Sequence, residues 1–298
     1  MSIIERVISK LEKEVGNKAA KASGRSKSRI KSDKEQKPVA VPEFDRKPDN
    51  GPVLNAHLTD STNTNYIDID LDRLNHLGIV TPIQGKTQIA EQFRIIKRPL
   101  LTKAFAKKNN NLIMISSALQ GEGKSFCSVN LAMSIASEMD HRVLLIDTDV
   151  ARPSIPNLLG FQTQAGLMDI LLGETNDVSD VLIKTNVEKL SLITVGTAHS
   201  HATELLASQT MALLLEELAQ RYNDRIVIFD APPILLTSEA RVLAERMGQI
   251  VLVVEAERTT QQAVNHMISQ FNSRANINLI YNKVRTFASG EYYGYYYS

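Results

Sequence analysis

The chain has 298 residues, of which 43 % are hydrophobic and 22 % charged, so it can build one large or two small globular domains of ordinary soluble composition. A formal net charge of +1 favours no polyanionic partner, and nucleic acid is not expected among its ligands. The single cysteine, Cys127, excludes a disulfide framework and any cysteine-ligated metal or iron–sulfur site, and fits a reducing cytosol.

Residues 2–15 of MSIIERVISKLEKEV have the period of an amphipathic helix, with Ile3, Ile4, Val7, Ile8, Leu11 and Val15 on one face. Ser2 and Glu5 have capping-box spacing. The helix could dock on protein or lie on a membrane surface; acids on its polar face weaken the membrane reading. The segment lacks the long apolar core of a signal peptide and is expected to stay on the chain. No apolar run reaches the ~20 residues of a membrane-spanning helix.

Residues 16–86 read as a mostly disordered basic and polar linker, rich in Lys, Ser, Asn, Asp and Pro. Positions 16–48 hold ten Lys and Arg against four Asp and Glu, a run that is either simply solvated or weakly drawn to anionic lipid.

From about Thr87 the pattern is α/β. The amphipathic stretch QIAEQFRIIKRPLLTKAFA leads into NLIMISS. The apolar runs RVLLID, LSLITV, RIVIFD, QIVLVVE and INLIYN then alternate with helical segments such as QTMALLLEELAQRY and TTQQAVNHMISQF. Short Val/Ile/Leu runs between helices predict parallel strands buried on both faces, hence a doubly wound, mostly parallel sheet over 87–285.

Within it, SSALQGEGKSFCSVNLAMSIA follows a strand and opens a helix, the context a P-loop requires. Gly121 and Gly123 allow the backbone to curl so that its N–H groups point at phosphates, and the helix directs its positive end at the anion. The nucleotide-binding candidates are Gly121, Glu122, Gly123, Lys124, Ser125 and Phe126. Lys124 adds a cation and Ser125 a hydroxyl for Mg²⁺. Ala118 stands where the first glycine of GxxxxGK[ST] would be.

VLLIDTD ends in Asp147 and Asp149, which alternation places on one side of an extended chain at the carboxyl edge of the sheet. Two acids there could be solvated loop residues; beside a phosphate loop they read as Mg²⁺ ligands or a base. IVIFDAPP ends in Asp230, the Walker-B position, which with Ser125 and Asp149 forms the expected metal shell. Cys127 reads as a small buried hydrophobe. His199 and His201 read as solvated loop residues rather than metal ligands.

The order LQGEGKS, LLIDTDVARP, IVIFDAPP resembles the bacterial tyrosine autokinases of exopolysaccharide loci, most closely the exosortase-associated branch through FRIIKRPLL, DVARP and the N-terminal region. GLMDILLG and TELLAS also look like family segments, and the likeness is strong over 87–298. It implies a deviant-Walker-like P-loop NTPase fold, ATP and Mg²⁺ as cofactors, and transfer of phosphate to protein tyrosine. It implies a role for Arg152, although Ala151 stands where the family often has a further arginine. EQFRIIK resembles the family's ExxRxxR helix, which implies a ring interface through Glu91, Arg94, Lys97 and Arg98; Lys97 replaces the last arginine, so Lys97 or Arg98 could serve. Asn282 looks like an adenine contact, though a lone asparagine could cap a turn.

The resemblance further implies a separate membrane polysaccharide chain-length protein as activator, a cognate tyrosine phosphatase, and a cytoplasmic position at the inner face of the plasma membrane through that partner. The rival class is a deviant-Walker switch ATPase. It carries a lysine after the first P-loop glycine, where this chain has Leu119, and has no tyrosine tail.

The chain ends in GEYYGYYYS. Tyr292, Tyr293, Tyr295, Tyr296 and Tyr297 stand against only Tyr66, Tyr222 and Tyr281 in the first 291 residues. A kinase that phosphorylates itself needs accessible acceptors, so a tail over 286–298 is expected to supply them, within or between subunits; an aromatic tail packed on a partner is the other reading. Tyr222 and Tyr281 fall inside expected elements and read as core or surface residues. Asp147 is the expected base for the tyrosine proton, with Asp149 as the alternative.

Overall fold

The computed structural model describes residues 65–82, 87–175, 177–220, 224–272 and 275–285. The expected helix over 2–15, most of the linker, Tyr222 and the tyrosine tail lie outside the described residues. An eight-stranded sheet forms from Asn65–Ile67 (β1), Leu112–Ser117 (β2), Arg142–Asp147 (β3), Ile183–Thr185 (β4), Leu190–Ile193 (β5), Arg225–Asp230 (β6), Gln249–Glu255 (β7) and Ile277–Asn282 (β8). Its order is β1-β4-β5-β3-β6-β2-β7-β8, and all neighbours run parallel except β4 with β5.

The helices are Leu71–His76 (α1), Gln88–Ala104 (α2), Lys124–Ala136 (α3), Ile155–Leu159 (α4), Leu167–Leu172 (α5), Val178–Val181 (α6), Ala202–Ala207 (α7), Gln209–Gln220 (α8), Glu239–Ala244 (α9) and Gln261–Ser269 (α10). They cover both faces of the sheet. This is why the central strands are nearly all apolar instead of alternating with polar residues. Successive side chains still point to opposite faces. Met114, Leu144, Ile146, Val227 and Phe229 join one core with α5 and α7–α10. Ile113, Ile115, Val143, Leu145, Ile226 and Ile228 join the other with α1–α4.

That parity positions the site. Asp147 continues Val143 and Leu145, and Asp230 continues Ile226 and Ile228, so both carboxylates fall on the face that carries α3. The two are register partners across β3 and β6. α3 follows directly from β2, the strand on the other side of β6, so the phosphate loop and the acids meet at one carboxyl edge.

Two findings differ from the sequence reading. The linker does not run to residue 86. Asn65–Ile67 pairs with β4, and Ile69, Leu74, Ile79 and Val80 are buried in the α3-side core. Asp70 caps α1 by accepting from Arg73 N–H at 2.9 Å, and Val80 N–H donates to Asn130 Oδ1 of α3 at 2.8 Å. The segment is therefore tied to the helix that follows the phosphate loop.

The second finding is Lys97. The buried stripe of α2 is Phe93, Lys97, Leu100 and Ala104, so position 97 points inward. Its ammonium donates to Ser134 O at 2.6 Å and pairs with Glu138 at 2.5 Å. A cation is favoured at these last carbonyls of α3 by the helix dipole. Lys97 is thus an internal clamp between α2 and α3 and not an interface cation. Arg98 is exposed, and Glu91 and Arg94 form a half-exposed pair at 2.6 Å on the same helix.

Candidate active site

The loop from Ala118 to Gly123 joins β2 to α3. Gly121 and Gly123 have φ of 83° and 96°, a left-handed conformation that side chains resist. At Gly123 a Cβ would also lie 2.2 Å from Asn282 Nδ2. Three loop carbonyls are held by side chains of the fold. Leu119 O accepts from Ser117 Oγ at 2.7 Å, Gly121 O from Lys283 Nζ at 2.6 Å and Glu122 O from Asn282 Nδ2 at 2.9 Å. The N–H groups of residues 121–125 make no hydrogen bond among the described residues, which leaves them available to an anion at the start of α3.

One amide is not available. Leu119 N–H donates to Glu122 Oε2 at 2.7 Å, so the cradle of free amides is shorter than a 119–125 loop would give. The Glu122 side chain is buried and turned into the fold; what it can offer a nucleotide is its main chain. The Phe126 ring likewise packs on the α3-side core. Asn282 spends its amide on the P-loop backbone instead of presenting it at an open pocket.

Lys124 is surrounded by oxygens. Its Nζ lies 2.9 Å from Asp149 Oδ2, 3.2 Å from Ser125 Oγ and 3.7 Å from Asp230 Oδ2. Burial works to lower the lysine's affinity for its proton, but Asp230 and Asp149 outweigh it and leave the pKa raised. Among the described residues no three His, Cys, Asp or Glu side chains form a metal cage. The cation among these carboxylates is the lysine itself.

The three aspartates do different work. Asp147 is fully buried, accepting from Asp149 N–H at 3.1 Å, Ser154 N–H at 3.0 Å and Ile155 N–H at 3.1 Å. Burial and then the Asp230 charge push its carboxyl up to about 7, against the pull of those amides and of Lys124. Asp149 pairs with Lys124 and caps the following turn by accepting from Arg152 N–H at 3.1 Å. The Arg152 side chain is exposed at the rim. Asp230 is fully buried; burial raises its carboxyl, while Lys124 opposes the shift. Its Oδ1 accepts from Ser128 Oγ at 3.0 Å, and its Oδ2 has no hydrogen-bond partner among the described residues.

Sequence reasoning missed the supporting hydroxyls. Ser154 Oγ lies 2.6 Å from Ser125 Oγ, and Thr148 Oγ1 donates to Asp230 O at 2.9 Å. Ser128 could have been found, because it is one turn after Lys124 on α3. Ser154 could not, since it comes from a loop whose path only the fold defines. Cys127 is buried, and burial with the Asp230 charge pushes its thiol up to about 12, so it behaves as a small hydrophobe. His199 is half-buried and His201 exposed, and His201 lies near Glu204 at 3.9 Å.

Residues 110–281 match the family model AAA_31, an AAA domain. The chain is 31 % identical over 185 residues to the tyrosine-protein kinase YwqD of Bacillus subtilis, covering 62 % of this chain and 76 % of that protein. It is 31 % identical over 202 residues to the tyrosine-protein kinase Wzc of Salmonella typhi, covering 67 % of this chain but only 28 % of that longer protein. Among solved structures, the VpsO kinase domain superposes with a TM-score of 0.58 at 28 % identity, covering 72 % of this chain and 98 % of that one. The phosphate loop, the three strand-end aspartates and these relatives agree: the chain belongs to the AAA domain family and, within it, to the bacterial protein-tyrosine kinases.

Proposed function

We propose that the protein is an ATP-dependent tyrosine autokinase that phosphorylates its own Tyr292, Tyr293, Tyr295, Tyr296 and Tyr297, between subunits of a ring, and so regulates exopolysaccharide synthesis or export. The observation that carries this is the convergence of Lys124, Ser125, Asp149 and Asp230 within 3.7 Å of one ammonium at the mouth of an open row of amides. Free amides and Lys124 would hold the β- and γ-phosphates. Mg²⁺ supplies further charge neutralisation when bound with the nucleotide. Ser125, Asp149 and Asp230 are the hard oxygens that fit it, and the buried Oδ2 of Asp230, with no hydrogen bond among the described residues and the Lys124 ammonium no nearer than 3.7 Å, has room for a further cation.

Phosphoryl transfer is mostly positioning and charge stabilisation. A tyrosine hydroxyl with pKa ~10 must give up its proton as its oxygen bonds to phosphorus. Asp147 is the proposed acceptor, because its value of about 7 lies near a neutral operating pH. Arg152, exposed beside Asp149, would meet charge on the nucleotide or the incoming tail. The interface reading now rests on Glu91, Arg94 and Arg98. The resemblance to the tyrosine autokinases of exopolysaccharide loci motivates a separate membrane chain-length protein as the activating partner, with the kinase held at the inner membrane face through it and a tyrosine phosphatase reversing the reaction. Among the described residues no helix is long and apolar enough to cross a membrane.

Radiolabelled Mg·ATP distinguishes this from a switch ATPase. Label should appear on the wild-type protein and be lost when the five terminal tyrosines become Phe. Phosphate released to water with no label on the wild-type protein would refute the kinase reading.

A further inference from the structure

The phosphate loop is gripped from one side by two segments that neither bind phosphate nor supply the acids. One is the turn after β7, residues 255–260. The other is the end of β8, residues 282–283. Glu122 reaches into the first: its Oε1 accepts from the Thr259 hydroxyl while its Oε2 takes Leu119 N–H. Thr259 Oγ1 in turn accepts from Glu255 N–H at 3.1 Å. The Glu255 carboxylate lies 3.2 Å from both Arg258 and Lys283, and Lys283 donates onward to Gly121 O. Asn282 holds Glu122 O.

Three features mark this as more than incidental packing. Glu122 is only 2 % exposed although it sits between an exposed Gly121 and a half-buried Gly123, and both its hydrogen bonds come from uncharged donors. Burying a carboxylate against two neutral donors is costly. The carbonyls of 119, 121 and 122 are all satisfied by side chains, whereas the amides of 121–125 have no partner among the described residues. Finally, Glu257 and Lys283, one in each gripping segment, are non-glycine residues at φ of 61° and 57°. Backbone strain of this kind persists only where surrounding contacts enforce it.

We propose that Glu122 is a positioning residue of the phosphate loop, fixing its peptide groups through Leu119 N–H and Thr259 so that the carbonyls face the fold and the amides face the nucleotide. It touches no phosphate. Its effect is to settle the orientation of the loop before ATP arrives, so that binding does not have to order it. Thr259 relays the constraint from the β7 turn, and Asn282 and Lys283 complete it from β8.

The test uses the full chain with ADP and Mg·ATP, read by calorimetry, saturated turnover and thermal melting. Glu122→Ala should weaken nucleotide binding about tenfold and lower saturated turnover by less than about threefold, because the catalytic groups remain. Glu122→Gln keeps an acceptor for Leu119 N–H and a donor toward Thr259 Oγ1, and should recover most of the affinity. A general structural role would lower the melting temperature of both variants without this split or rescue. Nucleotide affinity within twofold of wild type in Glu122→Ala, or no rescue by Glu122→Gln, would overturn the proposal. Should the alanine variant not fold, Thr259→Val against Thr259→Ser decides: the valine should weaken binding about threefold and the serine should not, and equal affinities would overturn it.

Discussion

At the scale of single residues, Lys124, the proposed phosphate-binding cation, is ion-paired with the Asp149 carboxylate. Binding a nucleotide therefore breaks a buried charge-assisted contact and makes new ones. Lys124→Ala should abolish detectable ATP binding, since the loop ALQGEGK holds no other cation. Asp149→Asn should do the opposite for metal-free ADP. It releases the lysine and should tighten that complex by about three- to tenfold, on the order of 1 kcal/mol, while eliminating transfer. Calorimetry with and without Mg²⁺ checks both; weaker metal-free ADP binding in Asp149→Asn would show that the pair does not compete with phosphate.

The buried aspartates make a pH prediction. Burial raises both Asp147 and Asp230, Asp147 to about 7. A raised native pKa means that the folded state holds its proton more tightly than the unfolded chain does. The stabilisation is complete below the ordinary carboxylate value of ~4 and is lost as pH rises through the native value, about 7 for Asp147. The nucleotide-free protein should thus lose stability between those limits. Asp230→Asn removes one of the two charges and should melt several degrees higher than wild type at pH 8, with the gap closing as pH falls. A gap that stays constant from pH 4 to 8 would mean that the pair is not strained in the absence of ligand.

At the scale of elements, one helix has two separable faces. The inward stripe of α2 includes Lys97, which clamps the end of α3; the outward face carries Glu91, Arg94 and Arg98. Lys97→Ala should cost roughly 2 kcal/mol of stability, because the Ser134 carbonyl and Glu138 lose their partner and a void is left. Glu91→Ala with Arg94→Ala should leave the melting temperature nearly unchanged, since an exposed pair is worth little to a single chain, yet should give monomers. Sedimentation and melting curves for the two variants separate these effects; an oligomer of wild-type mass in the double variant would remove the interface proposal.

Much of this was legible in the sequence, and for a physical reason. Short Val/Ile/Leu runs such as RIVIFD and QIVLVVE, set between helical segments, read as strands covered on both faces, and a glycine-rich loop between strand and helix reads as a phosphate cradle. What escaped was short or context-bound. β1 and β4 have three residues each and α1 six, below the length at which a period emerges, although Ile67, Ile69, Leu74, Ile79 and Val80 offered an apolar signal. The choice between Lys97 and Arg98 stayed open in the sequence because a buried lysine is rare, although the spacing of Lys97 from Phe93 and Leu100 already puts it on the inward stripe. The inward turn of Glu122 was hidden because its partner Thr259 is 137 residues away.

At the scale of the whole molecule, charge should link transfer to assembly. Each phosphotyrosine carries roughly −1.5 to −2 charges, so five add about −8 to −10 to a subunit that starts at +1. Like-charged tails crowded in a ring would repel one another and the site aspartates, so phosphorylation should shift the protein from oligomer toward monomer. Replacing the five tyrosines by Phe should keep the oligomer intact in Mg·ATP. Light scattering before and after ATP tests this, and equal dissociation of the Phe variant would show that tail charge is not the switch.

The central claim, that this phosphate loop drives transfer to the chain's own terminal tyrosines, is tested most directly by mass spectrometry of the purified full chain after incubation with Mg·ATP, beside Lys124→Met. The account predicts phosphotyrosine within Tyr292–Tyr297 in the wild type and none in the variant. An unmodified wild-type tail, or equal modification in both proteins, would contradict it.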